Sequence, residues 1–197
     1  EKLFTAGLLR ADESSNGLQH MIDFLSAGQK PNSGMCIDAF FDRIESSIPD
    51  HDARYNTWLD FARQWAELTS LSVTLQTGGA RFAAIQNKVN TAFGTWLKCH
   101  YNSLISLPPQ VPVMVHQIVR AAARKFTEGS LRKFALIVID GLAFNQWMTI
   151  RPYLDKKFTL SSDGCFAWIP TLTAVSRQAI FSGKIPAMFP ASINTTG

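Results

Sequence analysis

Apolar residues recur every three or four positions through most of the first 106 residues. Leu3, Leu8 and Leu9 precede the polar turn Asp12–Gly17, and Leu18, Met21, Ile22 and Leu25 follow at helical steps up to Gly28. This spacing stacks side chains on one helix face and predicts helix in two pieces over residues 3–27. Gln29–Gly34 is predicted as loop, with Pro31 and Gly34 as breakers. The stripe Ile37, Phe40, Phe41, Ile44 and Ile48 predicts a helix over 35–48. Asp38, Asp42 and Glu45 lie among these positions and read as a solvated face, because no histidine or fourth ligand accompanies them. Pro49-Asp50-His51-Asp52 is a helix start signal, and Trp58, Phe61, Trp65 and Leu68 carry the next stripe to about Leu75. After the break at Thr77-Gly78-Gly79, the run Phe82, Ile85, Val89, Phe93, Trp96, Leu97 and Leu104 predicts a long amphipathic helix starting at Ala80. Cys99 and His100 fall on it as neighbours that diverge by about 100°, a poor metal pair.

The pattern changes after Leu107-Pro108-Pro109-Gln110-Val111-Pro112, which reads as a linker over 107–112. Val113–Glu128 is predicted as a helix with Val115, Ile118, Val119, Ala122 and Phe126 inward. Arg120, Arg124 and Lys125 form its basic face, which is read as solvated rather than as a nucleic-acid contact. Phe134–Ile139 is six apolar residues without alternation, the signature of a strand buried on both faces in a parallel sheet. Asp140 then sits at the carboxyl end of that strand, where open α/β sheets bind ligands. It either holds a metal or polar substrate or caps the next helix. Ala143–Leu154 suits that helix, with Pro152 fraying its end, and Lys157–Ser161 suits a second short strand. Cys165–Ile169 extends toward Pro170, and the strand–helix–strand order is βαβ-like. Thr171 or Thr173 is placed to cap a helix over Ala174–Phe181 that Gly183 stops. A hydroxyl at that point faces unpaired N–H groups, so Thr173 is either a nucleophile cradled for phosphate or a cap.

Hydrophobic residues make up 46% of the 197-residue chain and charged residues 17%, which favours a packed globular chain over disorder. The three cysteines, Cys36, Cys99 and Cys165, are far apart with no C-x-x-C pair. That suits a reducing cytoplasm and argues against a disulfide framework or a cysteine zinc site. Residues 1–30 lack the pattern of a signal peptide, and no uncharged run approaches the ~18 residues needed to span a bilayer. Glu1 without a preceding Met, and the ending Asn194–Gly197, read as the ends of a piece cut from something longer. Residues 131–197 hold seven Lys/Arg against three Asp, and so carry the whole net charge of +4. An anionic substrate fits that excess.

The strand–Asp140–Gly141–Leu142 sequence, paired with Pro170-Thr171-Leu172-Thr173-Ala174-Val175-Ser176-Arg177-Gln178-Ala179-Ile180-Phe181-Ser182-Gly183, resembles the PglZ domain. This domain belongs to the alkaline phosphatase superfamily, and the likeness is to the PglZ component of bacterial BREX phage-defence systems. The resemblance covers roughly 134–193 and implies an α+β protein. A helical N-terminal region (1–106) and the linker (107–112) would precede a truncated core (113–197) holding the opening strands and helices of an alkaline-phosphatase-like α/β sandwich. It implies a metal-dependent phosphohydrolase or phosphodiesterase with two divalent ions, zinc first among them. Thr173 matches the nucleophile, Asp140 matches a metal-binding carboxylate, and Thr173 would share the metal. The backbone at Ala174–Ser176 and the Arg177 side chain would hold phosphate oxygens, unless Arg177 pairs with a structural carboxylate. The implied partners are other BREX proteins, methyltransferase and ATPase components, with a phosphodiester or nucleic-acid substrate and self-association as further options. The implied location is the cytoplasm, without a membrane. The remaining superfamily ligands would lie beyond Gly197, which leaves this chain inactive by itself. The alternative is a scaffold that docks other defence proteins or DNA.

Overall fold

The structure, a computed structural model, describes residues 33–75, 78–107, 111–129 and 132–192. The helical pieces expected over 3–27 lie outside the described residues. Six α-helices stand among those residues: α1 (Ser33–Ser46), α2 (Tyr55–Leu75), α3 (Gly79–Leu104), α4 (Ile118–Thr127), α5 (Phe144–Leu154) and α6 (Thr173–Ser182). A 3₁₀ turn, Val115–Gln117, leads into α4, and two more, Pro186–Met188 and Pro190–Ser192, follow α6. The chain divides into two compact units, Glu1–Leu97 with Leu142–Ser161, and Lys98–Gly141 with Ser162–Gly197.

In the first unit the helical stripes become the core. Ile37, Phe40, Phe41 and Ile44 of α1, Trp58, Phe61, Leu68 and Leu71 of α2, and Ile85, Val89 and Trp96 of α3 are all buried. Each such side chain contributes about 1.5–3 kcal/mol on leaving water. The aromatic rings interlock: Trp58 lies 4.9 Å from Phe93 and 6.0 Å from Trp96, and Trp65 stacks on Phe82 at 5.0 Å. The Trp96 indole N–H donates to the Ala53 carbonyl oxygen at 2.7 Å, tying α3 to the turn before α2. The acidic face of α1 is paired rather than merely solvated. Arg81 reaches Asp38 at 2.8 Å and also Asp42, and Lys88 pairs with Glu45. α5 packs on α2. Gly78, at φ +83°, immediately precedes α3 at a point where a side chain would collide with the Phe41 ring.

In the second unit the Gln117 side-chain oxygen accepts hydrogen bonds from the Val113 and Met114 amides at 2.8 and 3.1 Å, folding the turn before α4. The Phe166 amide donates to the Val113 oxygen at 2.8 Å and the Val115 amide donates to the Phe166 oxygen at 2.9 Å. α6 packs on the Val115–Gln117 turn and on α4, burying Val175 and Ala179. Gly183 ends α6 in the left-handed region at φ 64°, as glycine allows. The Arg120 side chain passes against it.

The expected α+β architecture, with the opening strands of a sandwich, is not what forms. Among the described residues there is no strand and no sheet, only helices and one isolated parallel bridge, Met114 to Phe166. Phe134–Ile139 forms no strand, and Phe134, Ile137 and Ile139 are 50%, 80% and 60% exposed. Lys157–Ser161 forms no strand, and Cys165–Ile169 contributes the Phe166 bridge alone. The physical reason is that a strand is held by a ladder to its neighbours. An apolar β-branched run supplies propensity for a strand, but no described segment lies alongside to supply the ladder. No helix among the described residues is long and apolar enough to cross a membrane.

Candidate functional site

The most specific sequence feature, Pro170–Gly183, is delivered by a short anchored segment. Phe166 is fixed by its two bonds to Val113 and Val115. Three residues on, the Ile169 amide donates to the Tyr101 hydroxyl at 3.0 Å, and that hydroxyl donates to the Ala167 oxygen, also at 3.0 Å. Between them Trp168 is buried, edge-on to Tyr101 at 6.4 Å and tilted against His116 at 5.3 Å. The Leu172 amide then turns back to the Pro170 oxygen at 2.8 Å, and α6 begins.

Leu172, in an extended conformation, is the N-cap of α6, and Thr173 is the first helical residue. Neither Thr171 nor Thr173 caps the helix through its side chain. The Thr173 hydroxyl is exposed and uncommitted among the described residues. The first amides of a helix have no partner within it. The Ser176 amide is the first to be used, donating to the Leu172 oxygen at 2.9 Å. Thr173 and Ala174 thus present amides at the positive end of the helix dipole, beside the Thr173 hydroxyl. Ser176 is half-buried one turn in, and Arg177 is exposed, with no ion pair among the described residues.

Asp140 sits in an exposed turn with Gly141, whose φ is 68°. The N-cap of α5 is Ala143, whose amide donates to the Gln146 side chain at 2.9 Å, so Asp140 does not cap that helix. Thr173, Ala174, Ser176 and Arg177 are brought together on the opening of α6, while Asp140 stands on a separate segment with no hydrogen bond to them. Among the described residues, no three His, Cys, Asp or Glu side chains gather to hold a metal ion. A catalytic zinc takes three protein ligands plus water. The described residues therefore do not by themselves fit the two-ion centre that the resemblance implies.

Sequence reasoning missed Tyr101, His116 and Trp168. His116 is 4% exposed, and its Nδ1, like the Trp168 indole nitrogen, has no partner among the described residues. Burial pushes the His116 pKa below its usual value, with the nearby Arg120 adding to the effect. Burial pushes the Tyr101 phenol up, against the opposing pull of its bond from Ile169. Cys165 is raised to about 11 by burial and by Asp163, so it is no thiolate nucleophile near neutral pH. No spacing rule flags these residues, because they come from three separated segments.

The second unit is thus a helical body that presents a threonine, free amides and an arginine at one helix start. This is the class of arrangement used to hold a phosphate ester. Residues 118–196 match the family model of the PglZ domain, described as the BREX system PglZ alkaline phosphatase-like domain. No curated protein and no solved structure gives a significant match to the chain.

Proposed function

We propose that this chain carries the nucleophile end of a PglZ-type phosphohydrolase or phosphodiesterase acting in a BREX phage-defence system. The observation that carries the reading is Thr173, whose hydroxyl is left free at the start of α6 inside the matched span. In this reading Thr173 Oγ loses its proton to solvent and bonds to phosphorus as the bond from phosphorus to the ester's leaving oxygen breaks. The leaving alcohol takes up a proton from solvent, and the later attack of water on the phospho-threonine releases the phosphate and restores the threonine hydroxyl. The Ala174 and Val175 amides and the Arg177 guanidinium hold the non-bridging oxygens, the expected Ser176 amide being taken by the Leu172 oxygen. Asp140 is the carboxylate assigned to metal. The divalent ions, zinc foremost, would need ligands besides those the described residues supply. A neutral threonine hydroxyl is a weak nucleophile, so the chain by itself is expected to be inactive. Methyltransferase and ATPase components of the same system are the proposed partners, and the cytoplasm the proposed location.

The test is phosphodiester turnover by the full-length gene product, with zinc or manganese added. Thr173→Ala is expected to abolish turnover and Thr173→Ser to retain part of it. A Thr173→Ala protein that turns over substrate at the wild-type rate would refute the assignment. The exposed apolar residues Phe134, Ile137 and Ile139 favour a second reading, a scaffold that docks another defence protein or DNA. That reading is supported if the full-length protein binds its partners but shows no turnover with either metal.

A further inference from the structure

After Phe166 the chain loses its backbone neighbour. The bridge to Met114 uses the Phe166 amide and oxygen, and no strand continues it among the described residues. Two backbone groups further along, the Ala167 oxygen and the Ile169 amide, both meet one side-chain atom, the Tyr101 hydroxyl. A phenol can donate one hydrogen bond and accept another, and here it does both at 3.0 Å. It ties both groups to a single fixed atom. The ring is itself held, edge-on at 6.4 Å and 88° to the buried Trp168. Tyr101 lies on the last turn of α3, so its hydroxyl is set on a rigid element.

Little slack remains beyond this anchor. Only Pro170, Thr171 and Leu172 separate Ile169 from Thr173. The ring of Pro170 fixes one backbone angle, and the Leu172-to-Pro170 bond closes the turn. A shift at Ile169 therefore passes directly to the start of α6. We infer that Tyr101 is a positioning residue whose hydroxyl, by pinning Ala167 and Ile169, sets where Thr173 is presented. This inference rests on the reading of Thr173 as the attacking group.

Tyr101→Phe removes the hydroxyl and keeps the ring against Trp168. In the full-length protein, native-state hydrogen exchange is expected to speed up about tenfold at the Ile169 and Leu172 amides. Exchange in α1 and α2 should stay unchanged. Turnover of a bis-p-nitrophenyl phosphate probe is expected to fall about tenfold to a hundredfold in kcat with KM within about twofold. A role in stability alone would lower Tm and leave kcat per folded molecule intact. Unchanged protection at Ile169 and Leu172 overturns the inference, as does faster exchange with unchanged kcat. If Thr173→Ala keeps full turnover, the nucleophile assignment fails instead. The exchange at Leu172 then still decides whether Tyr101 fixes the start of α6.

Discussion

The indole of Trp96 donates its N–H to the carbonyl oxygen of Ala53 across 43 residues of sequence, at 2.7 Å, while its ring lies 1% exposed. Burying an indole is favourable only where its polar tip finds a partner. Trp96→Phe should therefore cost about 1–3 kcal/mol, because it leaves the Ala53 oxygen unpaired and shrinks a packed ring. Urea denaturation followed by far-UV circular dichroism is the measurement, and a change under ~0.5 kcal/mol would contradict the role given to this bond.

Gly78 carries two independent constraints. Its backbone is in the left-handed region, and a side chain there meets the Phe41 ring, which is itself buried. Gly78→Ala should lose about 1–2 kcal/mol through the backbone and a further ~1–3 kcal/mol through overpacking. Pairing it with Phe41→Leu should recover part of the second loss and none of the first. A double-mutant cycle with no coupling would rule out the proposed collision.

His116 makes the second unit sensitive to acid. Its pKa in the folded chain lies below the usual 6.5, first through burial and second through the positive charge of Arg120. The folded state therefore takes up the proton less readily than the unfolded state. Its contribution to stability is complete above the unfolded value near 6.5 and is lost as pH falls from there through the folded value. The charged groups on the packed elements, Arg120, Arg124 and Lys125 on α4 and Arg177 on α6, are cations, apart from Glu128 just past the end of α4. The urea midpoint of wild type should fall between pH 7.5 and pH 5, and that of His116→Gln should fall less. Parallel declines would show that other groups carry the effect.

The exposed run Phe134–Ile139 should drive association. Ile137 and Ile139 are 80% and 60% exposed on a segment that forms no strand among the described residues, apolar surface of the kind that recruits a second chain. Light scattering on the 197-residue chain is expected to show self-association that grows with concentration, and Ile137→Lys should suppress it. A monomer at every concentration would count against this.

Helices were legible because their information is local. Ile37, Phe40, Phe41 and Ile44 declare one face within two turns, and α1 forms over Ser33–Ser46, close to the expected 35–48. The long stripe from Phe82 to Leu104 likewise gives α3 within a residue of its expected start. Strands were not legible because a strand needs a neighbour, and Phe134–Ile139 says nothing about where one is. Within the site, Thr173 and its helix could be read from Pro170 and Gly183. The network of Tyr101, His116 and Trp168 could not, since it depends on three segments meeting. The acidic triplet of α1 looked solvated because its partners, Arg81 and Lys88, lie some forty residues away.

Between α4 and α5, exposed Arg132 and Lys133 lead directly into a run up to Ile139 that has no helix or strand. Proteases bind their substrates as extended strands, and exposed segments are where they cut. Here trypsin meets two adjacent exposed basic residues outside any helix or strand. In most proteins cleavage waits for a local opening, so its rate follows stability. An exposed segment outside any helix or strand depends on such opening far less. A stabilising mutation elsewhere would leave the nicking rate largely unchanged, and the half-life of the isolated chain in the presence of a protease would depend on whether something covers these few residues.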